Sequence, residues 1–223
     1  MMAEISLKNK TGPYDFTREW FSANIPSWES IFATEKPRHV LEIGSFEGRS
    51  ACYTIEKLDT VSSGHASLTC IDNWFGGQEH RDSGGFYQAV MSDAERRFDQ
   101  NTSIALQKVE NRVSLRKIKQ NSRDALAQLL VAGPLEKYDL VFIDGSHEAP
   151  DVLADAVLAF PLLRVGGTLI FDDYIWSDQV PQKRDPLRMP KPAIDAFVNI
   201  YQRKIEFYHR LPLWQLYLRK VAS

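Results

Sequence analysis

The chain has 223 residues, 43% of them hydrophobic, and a formal net charge of -2 at pH 7. That length suits one domain with at most a short appendage, and the apolar material is ample for a full core. The near-neutral charge argues against a protein that lives on nucleic acid, and no apolar run is long enough to cross a membrane. The start carries no charged-then-apolar signal pattern. Cys52 and Cys70 are too few for a disulfide scaffold and too isolated for a zinc site, so they read as small core residues in a reducing, cytoplasmic setting.

In chain order, residues 1–13 read as a loose tail, and residues 15–35 place Phe16, Trp20, Phe21, Trp28, Ile31 and Phe32 at helix-compatible spacing. Pro26 suits the first turn of a second short helix. We therefore expect 1–35 to form a tail and helical cap, and 36–223 to form the main domain. His39-Val40-Leu41-Glu42-Ile43 is a short apolar run ending at Gly44, as a buried strand does. A helix is expected over 48–58 and a strand over 68–72. A glycine-rich loop over 73–85 leads to a helix over 86–106. Residues 112–118 alternate polar and apolar, like a half-covered strand. Asn121 or Ser122 would cap a helix running to Val131. Tyr138 to Asp144 is a strongly apolar strand, a helix follows over 149–163, and Gly166-Gly167 would turn the chain into a strand at 168–172. After a helix over 191–203, the strands 205–209 and 214–218 make a hairpin.

Strands alternating with helices imply a parallel sheet covered on both faces. The expected architecture is therefore α/β: a doubly wound, Rossmann-like seven-stranded sheet with a C-terminal antiparallel hairpin and a short helical N-terminal cap. Ligands of such sheets bind beyond the carboxyl ends of the strands. Four of those ends carry an acid: Glu42, Asp72, Asp144 and Asp172. Buried charge is costly without a partner, which makes the cluster a candidate site. Gly44 and Gly48 fit a tight turn that opens a helix, where backbone N–H groups can meet a ligand. Asp72, at the end of the next strand, is well placed to accept hydrogen bonds from the hydroxyls of a ribose. The spacing is G-x-x-x-G rather than the G-x-G-x-x-G of dinucleotide sites.

Together these motifs resemble the class I S-adenosylmethionine (SAM)-dependent methyltransferases. They are Glu42-x-Gly44-x-x-x-Gly48, Cys70-Ile71-Asp72-Asn73-Trp74 with Gly76-Gly77 and Glu79-His80, Phe142-Ile143-Asp144-Gly145-Ser146-His147, and Gly166-Gly167-x-x-x-Phe171-Asp172-Asp173-Tyr174. More narrowly they resemble methyltransferase family 24, which is similar to catechol and macrolide-sugar O-methyltransferases, over about residues 38–175. The resemblance implies SAM as methyl donor and O-methylation of a small-molecule acceptor, a sugar or secondary-metabolite hydroxyl. Glu42, Gly44, Ser45 and Gly48 would line the SAM site at the first turn. Asp72 would hold the ribose, Trp74 would pack near the adenosine, and Asn121 and Ser122 would read the adenine. Asp144 would stand close to the methyl-transfer centre.

The same resemblance implies that Asp144, Asp172 and Asp173 would bind Mg²⁺, a hard cation that favours carboxylates and lowers the pKa of an acceptor hydroxyl. Their alternative is to cap a turn or to pair with an arginine. His147 is the candidate general base, since histidine titrates near neutral pH; the bland alternative is a loop histidine bonded to backbone or carboxylate. His80 is a weaker candidate. The loop 175–190 reads either as an acceptor lid or as a surface loop, and as a lid its Lys183, Arg184 and Arg188 would suit a polar or anionic acceptor. Two other functions stay open: an NAD-dependent oxidoreductase, and a non-catalytic nucleotide-binding module. No nucleic-acid or membrane partner is expected, and a homo-oligomer stays open.

Overall fold

The computed structural model describes residues 12–77, 85–177 and 185–223. Seven strands form one sheet: β1 (His39–Ile43), β2 (Ala66–Asp72), β3 (Val113–Lys119), β4 (Tyr138–Ile143), β5 (Leu163–Phe171), β6 (Ile205–Phe207) and β7 (Leu216–Lys220). Their order is β3-β2-β1-β4-β5-β7-β6. The first five are parallel, and β7 runs antiparallel between β5 and β6. The expected sheet and terminal hairpin are therefore present. The hairpin strands are shorter and shifted, because the connection between them spans residues 208–215.

Period-two alternation explains the layering. Val40, Leu140 and Phe142 face one core, together with α1 (Ile25–Glu35), α2 (Arg49–Val61) and α3 (Gly85–Lys108). Leu41, Ile43, Val141 and Ile143 face the other, with α4 (Ser122–Ala132), α5 (Ala149–Ala159) and α6 (Pro190–Tyr201). Strands with both faces covered must be apolar on both sides, which is why they read as continuous apolar runs. The same alternation sends Glu42 into the first core rather than to the strand end.

The N-terminal cap is only partly helical. Residues 15–21 are irregular, a short 3₁₀ turn covers Ser22–Asn24, and α1 begins at Ile25 with Pro26 in its first turn. The aromatic spacing there reflects packing, not helix: Phe21 and Trp28 meet edge to face, and Trp28 meets Phe142 the same way at 4.9 Å. The Trp28 indole N–H also donates to Gln215 Oε1 at 2.8 Å. At the other end, Gly166 and Gly167 lie inside β5 beside an irregularity in its pairing with β4, instead of preceding the strand. No helix among the described residues is long and apolar enough to cross a membrane.

Candidate active site

The strand order reverses between β1 and β4, and a crevice opens there beyond the carboxyl ends of the parallel strands. A cleft of about 900 Å³ occupies it. It is lined by the turn after β1, the ends of β2 and β3, the loops after β4 and β5, and the N-terminal segment before α1. Gly44, Ser45, Asp72, Asn121, Ser122, Asp144, His147, Asp172 and Asp173 all border it. Sequence reasoning thus collected most of one real cavity.

The glycine turn owes its composition to the fold. Gly44 has φ +85°, and a Cβ there would sit 2.0 Å from the backbone carbonyl oxygen of Asp144. Its glycine is demanded by the close approach of the end of β4, not by a ligand. Gly48 has φ +81° at the start of α2 and packs against the Phe98 ring of α3. Asp72 then braces this turn. One of its carboxylate oxygens accepts the Ser45 and Phe46 backbone N–H groups, both at 2.9 Å, and the other accepts the Trp74 N–H at 2.6 Å. A carboxylate offers about four acceptor positions, so roughly one remains for a ligand. The Ser45 Oγ is buried in the turn beside Glu42.

Three expected cofactor contacts lie off the cleft: Gly48, which faces Phe98, and Trp74 and Glu42. Trp74 is buried away from the cleft, its ring beside Phe98 at 5.1 Å and its indole N–H donated to the Phe46 carbonyl at 2.8 Å. A positive φ of 57° at Trp74 turns the ring inward, and its neighbour Phe75, 74% exposed, borders the cleft instead. Glu42 is wholly buried beneath α2, beside the Ser45 and Ser50 hydroxyls. Burial pushes its carboxyl up to about 7. At the far end, Asn121 caps α4 by accepting the Arg123 N–H at 3.1 Å, and Ser122 follows it on the cleft wall.

The opposite half holds the acids after β4 and β5. Asp144 lies deep among protein atoms yet opens onto the cleft. Burial, then the charges of Asp172 and Asp173, hold its carboxyl well above the usual range. Burial pushes Asp172 up to about 7 as well, with Asp173 adding to it. Asp173 takes a left-handed conformation, φ 54°, a region where aspartate is tolerated. Its Oδ2 lies 2.8 Å from His147 Nε2, and the imidazole lies against the Trp176 indole, tilted by 33° with centroids 4.0 Å apart.

The three expected Mg²⁺ ligands, Asp144, Asp172 and Asp173, all border the cleft, with Asp173 turned to His147. Among the described residues no three His, Cys, Asp or Glu side chains form a metal-holding group. Asp173 pairs with His147, while Asp144 and Asp172 crowd one another, a repulsion that a bound cation would relieve. His80, Lys183 and Arg184 lie outside the described residues. The other lid candidate, Arg188, is described, and its Nε is 3.3 Å from Glu148.

Asp155 was missed. It lies on α5 in register with buried Val152, Ala156 and Ala159, is 2% exposed, borders the cleft, and is pushed up to about 7 by burial. The available signal was an acid at a core position of an apolar helix. Trp20 and Trp214 were also missed as cleft residues, because they come from distant segments.

A doubly wound sheet with its cleft at this switch point is an α/β ligand-binding architecture. A family profile described as a methyltransferase domain matches residues 41–174. The chain belongs to that family, methyltransferase family 24 of the class I SAM-dependent methyltransferases. A comparison with curated proteins gives no match. Among solved structures, the fold is similar to an O-methyltransferase from Bacillus cereus in complex with SAH (16% identity, TM-score 0.60, 92% of this chain and 84% of that one). It is also similar to the O-methyltransferase TomG from Streptomyces achromogenes, involved in tomaymycin synthesis and solved with SAM (16% identity, TM-score 0.61, 92% and 83%).

Proposed function

We propose that this protein transfers a methyl group from SAM to a hydroxyl oxygen of a small molecule, a sugar or secondary-metabolite hydroxyl. The observation that carries the reading is the His147–Asp173 pair, at 2.8 Å, in the same cleft as the glycine turn and Asp72. The remaining acceptor position on Asp72 and the Asn121–Ser122 wall fit a nucleoside bearing an amino-acid tail. When bound there, SAM supplies an electrophilic methyl on a sulfonium.

The chain's own residues do the rest by positioning and proton transfer. Asp173 at Nε2 favours the imidazole tautomer that carries its proton there, which leaves Nδ1 as the basic nitrogen; that atom is buried, so the ring must turn toward the cleft for an acceptor hydroxyl to meet it. His147 then accepts the hydroxyl proton as the acceptor oxygen gains the methyl, and Asp173 stabilises the imidazolium that forms. The negative end of the cleft favours a cationic donor over an anionic dinucleotide. Isothermal titration with S-adenosylhomocysteine (SAH) and with NAD tests the reading. Saturable SAH binding with none for NAD is expected; binding of NAD alone would return the protein to the oxidoreductases.

A further inference from the structure

One buried acid at the cleft has no part in the proton transfer described above. Asp155 shares a stripe of α5 with Val152, Ala156 and Ala159, which pack into the second core. It is buried, yet it borders the cleft. A carboxyl at such a position costs stability unless its surroundings compensate it. Here they do so only in part. The Ser122 hydroxyl lies beside it, while Arg123, the cation whose charge reaches it, pairs with Asp151 at 3.1 Å. An apolar side chain would serve the core better, so packing does not account for the acid.

The cleft wall is open at the same point. Gly145 borders the cleft, and a Cβ on it would stand 3.5 Å from Asp155 Oδ2 and 3.2 Å from Ile43 Cγ2. Gly44 needs its glycine for a positive φ, but Gly145 is not among the residues in that region. What the absent side chain leaves is room between Ile43 and the Asp155 carboxyl.

The order of groups along the cleft supplies a ligand atom for that room. A ribose on the remaining acceptor position of Asp72 directs its base toward the Asn121–Ser122 wall, and Asp155 lies beside Ser122. On a glycosylated adenine the exocyclic amino group is the one N–H donor, and the unsubstituted ring nitrogens accept. A carboxyl keeps an accepting oxygen whether ionised or protonated, so it complements the amino group in either form.

We propose that Asp155 selects the nucleobase of the cofactor, accepting a hydrogen bond from the adenine amino group through the gap left at Gly145. This rests on the methyl-transfer reading. It moves base recognition from the loop after β3, where Asn121 and Ser122 were expected to supply it, to a helix on the other side of the wall.

The test is isothermal titration with SAH and with its purine analogue, in which hydrogen replaces the adenine amino group. Wild-type protein is expected to bind SAH about tenfold or more tighter than the analogue, as one buried hydrogen bond to a carboxylate allows. Asp155→Ala should bring SAH down to the affinity of the analogue and leave the analogue unchanged. Asp155→Asn, which keeps an accepting oxygen, should restore most of the difference. Asp155→Val, which continues the apolar stripe, replaces the alanine variant if that chain does not fold. The proposal is overturned if wild-type protein binds both ligands equally, or if the difference survives loss of the carboxyl. An equal fall in both affinities, the mark of a merely structural acid, overturns it too. Each of those results leaves the methyl-transfer reading standing, whereas failure of SAH to bind the wild-type protein would remove that reading instead.

Discussion

The two halves of the cleft are built on opposite principles. On the glycine-turn side, the turn and a helix end are braced by side chains: Asp72 takes three N–H groups and Asn121 caps its own helix. On the β4–β5 side, carboxylates crowd one another, two of them are held above their usual range, and tryptophan faces stand in water. A satisfied network is rigid and keeps one geometry for a common cofactor. A crowded, partly unsatisfied one stores interaction free energy for a proton, a cation or an acceptor. The fold therefore spends its hydrogen bonds on the half that must not vary.

Four substitutions break or sharpen that contrast. The largest effect is expected at Gly44→Ala, where a Cβ would overlap the Asp144 carbonyl and the positive φ disfavours any side chain. Urea denaturation should show a loss of at least about 3 kcal/mol, with SAH binding abolished. A variant of wild-type stability would mean that the turn is far looser than described. His147→Ala comes next, because it removes a base without touching the braced half. It should lower kcat about a hundredfold or more and leave SAH affinity intact. Unchanged kcat would take His147 out of the mechanism.

The third substitution addresses a charge buried beneath the rigid half. Glu42 has its folded pKa raised from 4.5 to about 7, so the folded chain holds a proton that the unfolded chain has released. That contribution to stability is fully present below about pH 4.5 and is lost as pH rises through about 7. Glu42→Gln should then be the more stable protein at pH 8, by on the order of 2–3 kcal/mol, and nearly equal to wild type at pH 5. Parallel stability curves for the two proteins would show that burial does not raise the carboxyl. The smallest effect is Asn121→Ala, which loses one helix cap. A cost of about 1 kcal/mol in chemical denaturation is expected, with SAH affinity also falling if the residue borders the adenine.

Much of this was legible in the chain itself, for definite reasons. Strands β1, β2 and β4 announce themselves because both their faces are covered, and the order of acids at their ends marks the cleft. The terminal hairpin was legible too, although its strand limits moved because the long connection carries Trp214. The segment 15–21 misled, since aromatic spacing cannot distinguish a helix from an irregular strap whose rings all find the same core. Trp74 misled in another way: one backbone torsion decides whether it or Phe75 reaches the cleft, and torsions are not written in residue identity.

By itself, then, the amino-acid order determined the alternation of elements, the turn at Gly44–Gly48 and the set of acids, because periodicity and turn chemistry are local. Only the tertiary structure decided which partner each group meets. It gave Asp72 to the turn's N–H groups, Asp173 to His147, Glu42 to the core and three distant tryptophans to one rim. Those outcomes depend on contacts between residues far apart in the chain, and no local pattern encodes them.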